Sequence, residues 1–257
     1  MVELEETFRW PFEDENWPIT IGIGGILSMT NTIMVTIALI TLIGLGLVLI
    51  GFLIAPVFVL LAIAVAVPMS GYAIGVMRAT IEGADPPRFE DWRRLLRDGI
   101  VVFAIRLAYF VPVLVVGLLA GVLALIVAGV VVLVDAEAVT AIGTIGVVAV
   151  GSIIVGVVSL YSLCVGYLIP ISDAIYAHEG DLRTALSPDR IKPVALSSEF
   201  AIYWLIAIVI QLIAGQILGL LYLVLVGFFV QFYLYIVMAR LFAKGYAGAM
   251  EIETAPA

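Results

Sequence analysis

The run ITIGIGGILSMTNTIMVTIALITLIGLGLVLIGFLIAPVFVLLAIAVAVPMSGYAIGVMRATI, Ile19–Ile81, decides what kind of protein this is. It holds 63 residues and a single charge, Arg78. About 20 helical residues cross the hydrocarbon core of a bilayer, so the run is too long for one crossing and long enough for two. Further apolar runs cover Ile100–Val134, Val139–Ser172 and Phe200–Leu241. The last, of 42 residues, again predicts two crossings. Turns are expected within 44–56 and 215–222, and an acidic loop, VDAEAVT at 134–140, divides the middle runs. The reading is all-α and integral to the membrane, with six transmembrane helices. Composition agrees: 64% of residues are hydrophobic, mean hydropathy is +1.23 and 12% are charged, against about 25% charged in soluble domains. No soluble domain of ordinary size fits between the runs.

Charge sets the expected orientation. Eleven of the twelve basic residues fall on one side of the six-span reading: Arg9, Arg78, Arg88, Arg93, Arg94, Arg97, Arg183, Arg190, Lys192, Arg240 and Lys244. The other side carries Asp135 and Glu137. Lys and Arg accumulate in cytoplasmic loops, so a multi-pass protein of the cell membrane with both termini cytoplasmic is expected. The twelfth, Arg106, lies early in a run that would measure about 52 Å as a straight helix. It is expected to snorkel to the headgroups. The chain opens with Glu3, Glu5 and Glu6 before its first Arg, unlike a cleavable signal peptide, so the first span is expected to be retained. Cys164, the single cysteine, precludes an intramolecular disulfide and is expected to pack inside. A net charge of −8 with only two lysines resembles proteins of salt-loving archaea. At molar salt the Debye length falls to about 3 Å, and clustered carboxylates barely repel.

The polar connectors carry an internal echo. PFEDENW (Pro11–Trp17) leads into the first pair of spans and RFEDW (Arg88–Trp92) into the second. VPMS (Val67–Ser70) and IPIS (Ile169–Ser172) mark the expected ends of the second and fourth spans, and Glu82–Gly83 and Glu179–Gly180 follow. This predicts three parallel hairpins, about 19–83, 100–172 and 200–245, related by an axis along the membrane normal. Together they form one transmembrane domain, 19–245. An aromatic, acidic segment (1–18) precedes it, a tail (246–257) follows, and connectors 84–99 and 173–199 join the hairpins. In the first connector Phe89, Trp92, Leu95 and Leu96 share one helical face. Glu90 and Arg94 have ion-pair spacing, and Gly99 is placed to break the helix. Aromatic residues opposite arginines predict an amphipathic helix in the interface plane.

The aromatic-Pro-acidic-Trp opening (Trp10–Trp17), GIGGIL (Gly22–Leu27) and the pattern from Gly71 to Gly99 resemble a family of uncharacterised archaeal multi-pass membrane proteins, common in haloarchaea and methanogens. The resemblance is sharpest over residues 8–112. It implies membrane location and archaeal origin, and no activity, cofactor or catalytic residue.

No catalytic constellation stands out: there is no HExxH, GxSxG, Walker loop or Cys/His cluster. Neither an enzyme, a bound cofactor nor a nucleic-acid partner is expected, and His178 reads as solvated loop. Two candidate sites remain. Phe89, Trp92, Arg93, Arg94 and Arg97 form a candidate contact for lipid or a partner protein, each Arg contributing about 1 kcal/mol near an anionic surface. Asn31, Arg106, Gln211 and Gln231 form a candidate intramembrane polar site, although amides in a bilayer more often bond between helices. The first site suggests a non-enzymatic scaffold or accessory subunit that organises lipid, or a membrane or cytosolic protein. The second suggests a small-solute transporter or lipid-translocating protein.

Overall fold

The structure, a computed structural model, describes residues 4–44, 49–134 and 137–252. Among them lie nine α-helices and no strand: α1 (Leu4–Arg9), α2 (Trp17–Gly44), α3 (Leu49–Glu82), α4 (Trp92–Val134), α5 (Glu137–Glu179), α6 (Leu182–Ala185), α7 (Pro188–Ala195), α8 (Ser198–Leu221) and α9 (Val226–Ala249). Short 3-10 turns follow α1 (Trp10–Phe12) and α8 (Tyr222–Val224). Six helices, α2 to α5, α8 and α9, are long and apolar enough to cross a membrane. The chain divides into two compact units, one of residues 1–104 and 170–257, the other of 105–169.

In the first unit α9 is the central helix, with Phe232, Val237, Leu241, Ala243 and Tyr246 all buried. Helices α2, α3 and α8 pack on it, and α2 also packs along α3. Between spans, lipid is as apolar as Leu, so close van der Waals packing and buried hydrogen bonds replace the hydrophobic effect as the source of cohesion. The sequence supplies both. Gly24 and Gly25 of α2 receive the rings of Phe232 and Phe229, which a Cβ at either glycine would meet at 2.0 and 2.2 Å. Gly71 of α3 faces the Leu95 carbonyl of α4, and Gly99 faces the Val67 carbonyl; a Cβ would stand 1.8 and 1.9 Å from those oxygens. The backbones of α3 and α4 therefore touch at two points, four residues apart on each helix.

The first connector differs from the expectation. No separate interfacial helix begins at Phe89: residues 84–91 are not helical, and α4 starts at Trp92 and runs through Gly99. Asp91 sets that start, its Oδ1 accepting the Arg94 backbone N–H at 3.0 Å, as an N-cap does. Gly99 continues the helix because its missing Cβ admits the Val67 carbonyl. Glu90 stands before the helix, so the expected Glu90–Arg94 pair is replaced by Glu90 with Arg88 at 3.8 Å and Arg94 with Asp98 at 4.0 Å.

The repeated Pro-x-Ser words do not end helices either. Pro68 and Pro170 lie inside α3 and α5, which continue to Glu82 and Glu179. Spanning helices tolerate proline where neighbouring groups satisfy the freed carbonyl. The repeated Glu-Gly pairs are the true ends. Gly83 and Gly180 adopt φ of +66° and +73°, and Ala84 N–H donates to Ala79 O at 2.8 Å and Gly180 N–H to Tyr176 O at 2.9 Å. These are left-handed C-caps, which glycine fills without steric cost. α9 ends the same way without a glycine, with Glu251 at φ +55° and Ile252 N–H on Ala247 O at 2.9 Å.

The last turn falls at 222–225, where Leu225 takes φ +61°, while Gly215 and Gly219 stay within α8. Residues 45–48 of the first expected turn, and Asp135 and Ala136 of the acidic loop, lie outside the described residues. In the second unit the Tyr161 hydroxyl donates to the Tyr109 carbonyl at 2.6 Å, joining α5 to α4. Cys164, expected inside, is exposed on α5.

Candidate functional site

The first unit gathers its charge at one end of the bundle, where α3, α5 and α9 finish and α1 and α4 begin. Three clusters of ion-paired residues there join distant segments, and a further pair, Arg190 with Glu179 at 2.7 Å, lies at the end of α5. Arg78, carried past Pro68 by the continuation of α3, donates from Nη1 to Asp98 Oδ2 at 3.1 Å and from Nε to the Ala177 carbonyl at 3.1 Å. Tyr176 donates its hydroxyl to the second oxygen, Asp98 Oδ1, at 3.0 Å. Three helices thus converge on one buried carboxylate, whose side chain is 7% exposed. Removing one member of such a buried pair strands the other charge, at a cost of about 3–5 kcal/mol.

The second cluster joins the two copies of the repeated phrase. Arg88, from RFEDW, donates Nε and Nη2 to the two oxygens of Asp14, from PFEDENW, at 3.1 and 2.6 Å. This is a bidentate pair. The hydrogen bonds from Arg88 hold the Asp14 carboxyl below the usual carboxylate range. Above this pair Phe89 stacks on Tyr72 at 4.4 Å and lies 6.0 Å from Phe232, and Tyr72 donates its hydroxyl to the Pro87 carbonyl at 3.0 Å.

The third cluster docks the N-terminal segment. Glu6 of α1 pairs with Arg240, and with Lys244 at 3.1 Å. The Arg240 guanidinium lies 4.4 Å from the centroid of the buried Trp10 ring. Its Nε and Nη1 have no hydrogen-bond partner among the described residues, and the face of the indole serves their charge instead. Tyr233 adds a hydrogen bond to the Phe8 carbonyl at 2.7 Å. The opening segment is therefore built into the bundle through α1 and its 3-10 turn.

Two adjoining grooves open in this layer and share Arg78, Asp91, Arg94 and Asp98 as a common wall. One, of about 600 Å³, is rich in carboxylates, with Glu13, Glu15, Glu82, Asp85 and Glu90 among its lining. The other, of about 680 Å³, adds Arg93, Arg97, Tyr176 and Gly180. Opposite charge thus faces outward from the two sides of one neutralised wall.

The candidate contact residues separate accordingly. Arg93, Arg94 and Arg97 are exposed along the first turns of α4, and Trp92 is 45% exposed beside them. Phe89 does not join them; it is buried among Tyr72 and Phe232. Two of the intramembrane candidates bond to neighbouring helices. Asn31 donates to the Ala62 carbonyl of α3 at 2.8 Å, whereas Gln231 accepts from Ser28 at 3.1 Å between α9 and α2. Such cross-helix bonds contribute about 0.6 kcal/mol each on average. Gln211 is exposed on α8. Arg106 belongs to the second unit, where it is half-buried.

Sequence reading missed Asp98, Asp14, Tyr176 and Glu6. Asp98 and Asp14 sit inside the repeated acidic phrases or their sequels, and that repetition was the available signal. Tyr176 and Glu6 carried none. His178 is exposed, and its Nδ1 lies 3.0 Å from the Tyr246 hydroxyl. No cluster of metal-ligating side chains occurs among the described residues.

A family described as "Protein of unknown function (DUF4013)" matches residues 57–223, more than half of the chain. The chain belongs to this family. The DUF4013 match begins later and ends later than the resemblance drawn from the opening motifs. It takes in Arg78, the arginines of α4 and Tyr176, and leaves Asp14, Glu6 and Arg240 outside. No curated protein and no solved structure matches the chain.

Proposed function

We propose that this DUF4013 protein is a non-enzymatic membrane scaffold or accessory subunit that organises lipid at the arginine-rich end of its helical bundle. The observation that carries the reading is the exposed Arg93, Arg94 and Arg97 row at the start of a spanning helix whose position is fixed by the Arg78–Asp98–Tyr176 network. Because the backbone beneath these arginines is already held in place, gripping an anion costs only the ordering of their side chains. In the six-span reading eleven of the twelve basic residues fall on this side, so we assign it to the cytoplasm with both termini. This reading keeps the three hairpins as parallel repeats and takes the exposed Trp92 as an anchor at the headgroup level.

The acidic, lysine-poor composition suits an archaeal cell with a salty cytoplasm. The transport alternative draws no support from Asn31 and Gln231, because their hydrogen bonds go to neighbouring helices.

The test replaces Arg93, Arg94 and Arg97 together by Gln and quantifies anionic lipid co-purified with the protein in mild detergent. A fall to the level of neutral lipid supports the scaffold; unchanged lipid removes its proposed contact. Tags on either terminus should react only after cells are opened.

A further inference from the structure

Charge in the basic groove is unbalanced in a definite amount. Four arginines, Arg78, Arg93, Arg94 and Arg97, line it against two aspartates, Asp91 and Asp98, an excess of two positive charges. Both aspartates are already engaged. Asp91 caps α4 through the Arg94 N–H at 3.0 Å, and Asp98 takes Arg78 at 3.1 Å and Tyr176 at 3.0 Å. Arg78 is held in place from two sides, since its Nε also donates to the Ala177 carbonyl. Arg93 and Arg94 occupy the first turn of α4, where the helix dipole disfavours positive charge. An anion between them would turn that unfavourable placement into a favourable one.

Resting on the scaffold reading, we infer that this groove binds a phosphomonoester group presented by a lipid headgroup. Guanidinium forks match phosphate oxygens two at a time. A phosphomonoester carries close to two negative charges at neutral pH and matches the excess; a phosphodiester carries one and leaves half of it unanswered. The groove, about 680 Å³, has the size of a small-ligand site. The neighbouring acidic groove, with Glu82, Asp85 and Glu90, repels the same anion and confines it to the arginine side. The lipid source follows from position. Arg78 and Arg93 to Arg97 lie at the ends of two helices long and apolar enough to span a bilayer, next to an exposed Trp92.

The experiment uses the full chain in detergent at low, fixed salt, with dihexanoyl phosphatidic acid, dihexanoyl phosphatidylglycerol and inorganic phosphate as probes. Binding is followed by thermal shift and by titration at pH 5 and pH 7.5. Phosphatidic acid is expected to bind about tenfold tighter than phosphatidylglycerol at pH 7.5, and the margin to shrink at pH 5 as the phosphomonoester, with a second pKa near 6, loses a charge. Arg93→Gln with Arg97→Gln should weaken phosphatidic acid by roughly fivefold per arginine. These residues are exposed, so the variant should keep the parent melting temperature. Equal, arginine-dependent binding of both lipids at both pH values overturns the phosphomonoester and leaves the scaffold standing. Inorganic phosphate binding as tightly as phosphatidic acid overturns the lipid source. Binding that ignores the two arginines overturns this inference; the co-purification assay judges the scaffold separately.

Discussion

In the first compact unit Gly71 and Gly99 sit where a Cβ would come within 1.8 and 1.9 Å of backbone oxygens, whereas in the second Gly121 and Gly156 have, among the described residues, no atom beyond their own helix backbone within 4 Å of that position. The residue type is the same and the consequences are opposite. At Gly71 and Gly99 the missing side chain lets two backbones touch; at Gly121 and Gly156 it leaves a helix surface open. The contrast extends to polar groups. The first unit ties its helices through Asp98, Asp14 and Glu6, all at one end, while the Tyr161–Tyr109 hydrogen bond joins the helices of the second. A small-residue spacing in an apolar helix is therefore no indicator of packing until its neighbour is known.

The comparison breaks most visibly at Gly71 and Gly99. Ala at either position must push α3 and α4 apart, because the opposing atom is backbone and cannot rotate away. Each single variant should lose the folded monodisperse species in detergent size-exclusion, while Gly121→Ala elutes as the parent does. Normal elution and melting of Gly71→Ala would show that the close crossing is not needed.

Asp98→Ala comes next. It leaves the Arg78 guanidinium and the Tyr176 hydroxyl without their shared acceptor and should cost about 3–5 kcal/mol, read as a large drop in melting temperature. Arg93→Gln, in the same groove but exposed, should stay within about 0.5 kcal/mol of the parent.

A smaller, pH-dependent effect belongs to Asp14. Its folded pKa lies below the unfolded value of about 3.9, so its contribution is complete above that pH and is lost as pH falls through the folded value. Asp14→Asn should melt below the parent at pH 7, and the two curves should converge as pH falls below about 3.9. A constant gap across that range would mean that the Arg88 pair is not what stabilises the joint.

The smallest effect is expected where space is open. Gly156→Ala should be neutral or stabilising by up to about 1 kcal/mol, since Ala is the better helix former and nothing stands in its way. A clear loss of stability there would reveal a neighbour on that face.

Part of the site was legible beforehand. The arginines of α4 could be found because charge is rare in this chain, and the repeated Phe-Glu-Asp phrase pointed to a joint. The role of each letter could not. Phe89 and Trp92 share one face of a helical wheel, yet Phe89 precedes the helix and turns inward onto Tyr72, while Trp92 begins the helix and stays exposed. Asn31 and Gln211 are amides in similar apolar surroundings, and only Asn31 meets a carbonyl on another helix.

By itself the sequence determined the number of helices able to cross a bilayer, the clustering of charge at particular connectors and the presence of the two Glu-Gly pairs, without marking them as the helix ends. These are local properties: run length against bilayer thickness, charge count, and the freedom of glycine at positive φ. Only the tertiary structure decided which helices touch, that Asp14 answers Arg88 across 74 positions and Glu6 answers Arg240 across 234, and which glycines are indispensable. Such pairings depend on the approach of segments distant in the chain. Between apolar helices that approach is settled by shape and a few hydrogen bonds, and hydropathy registers neither.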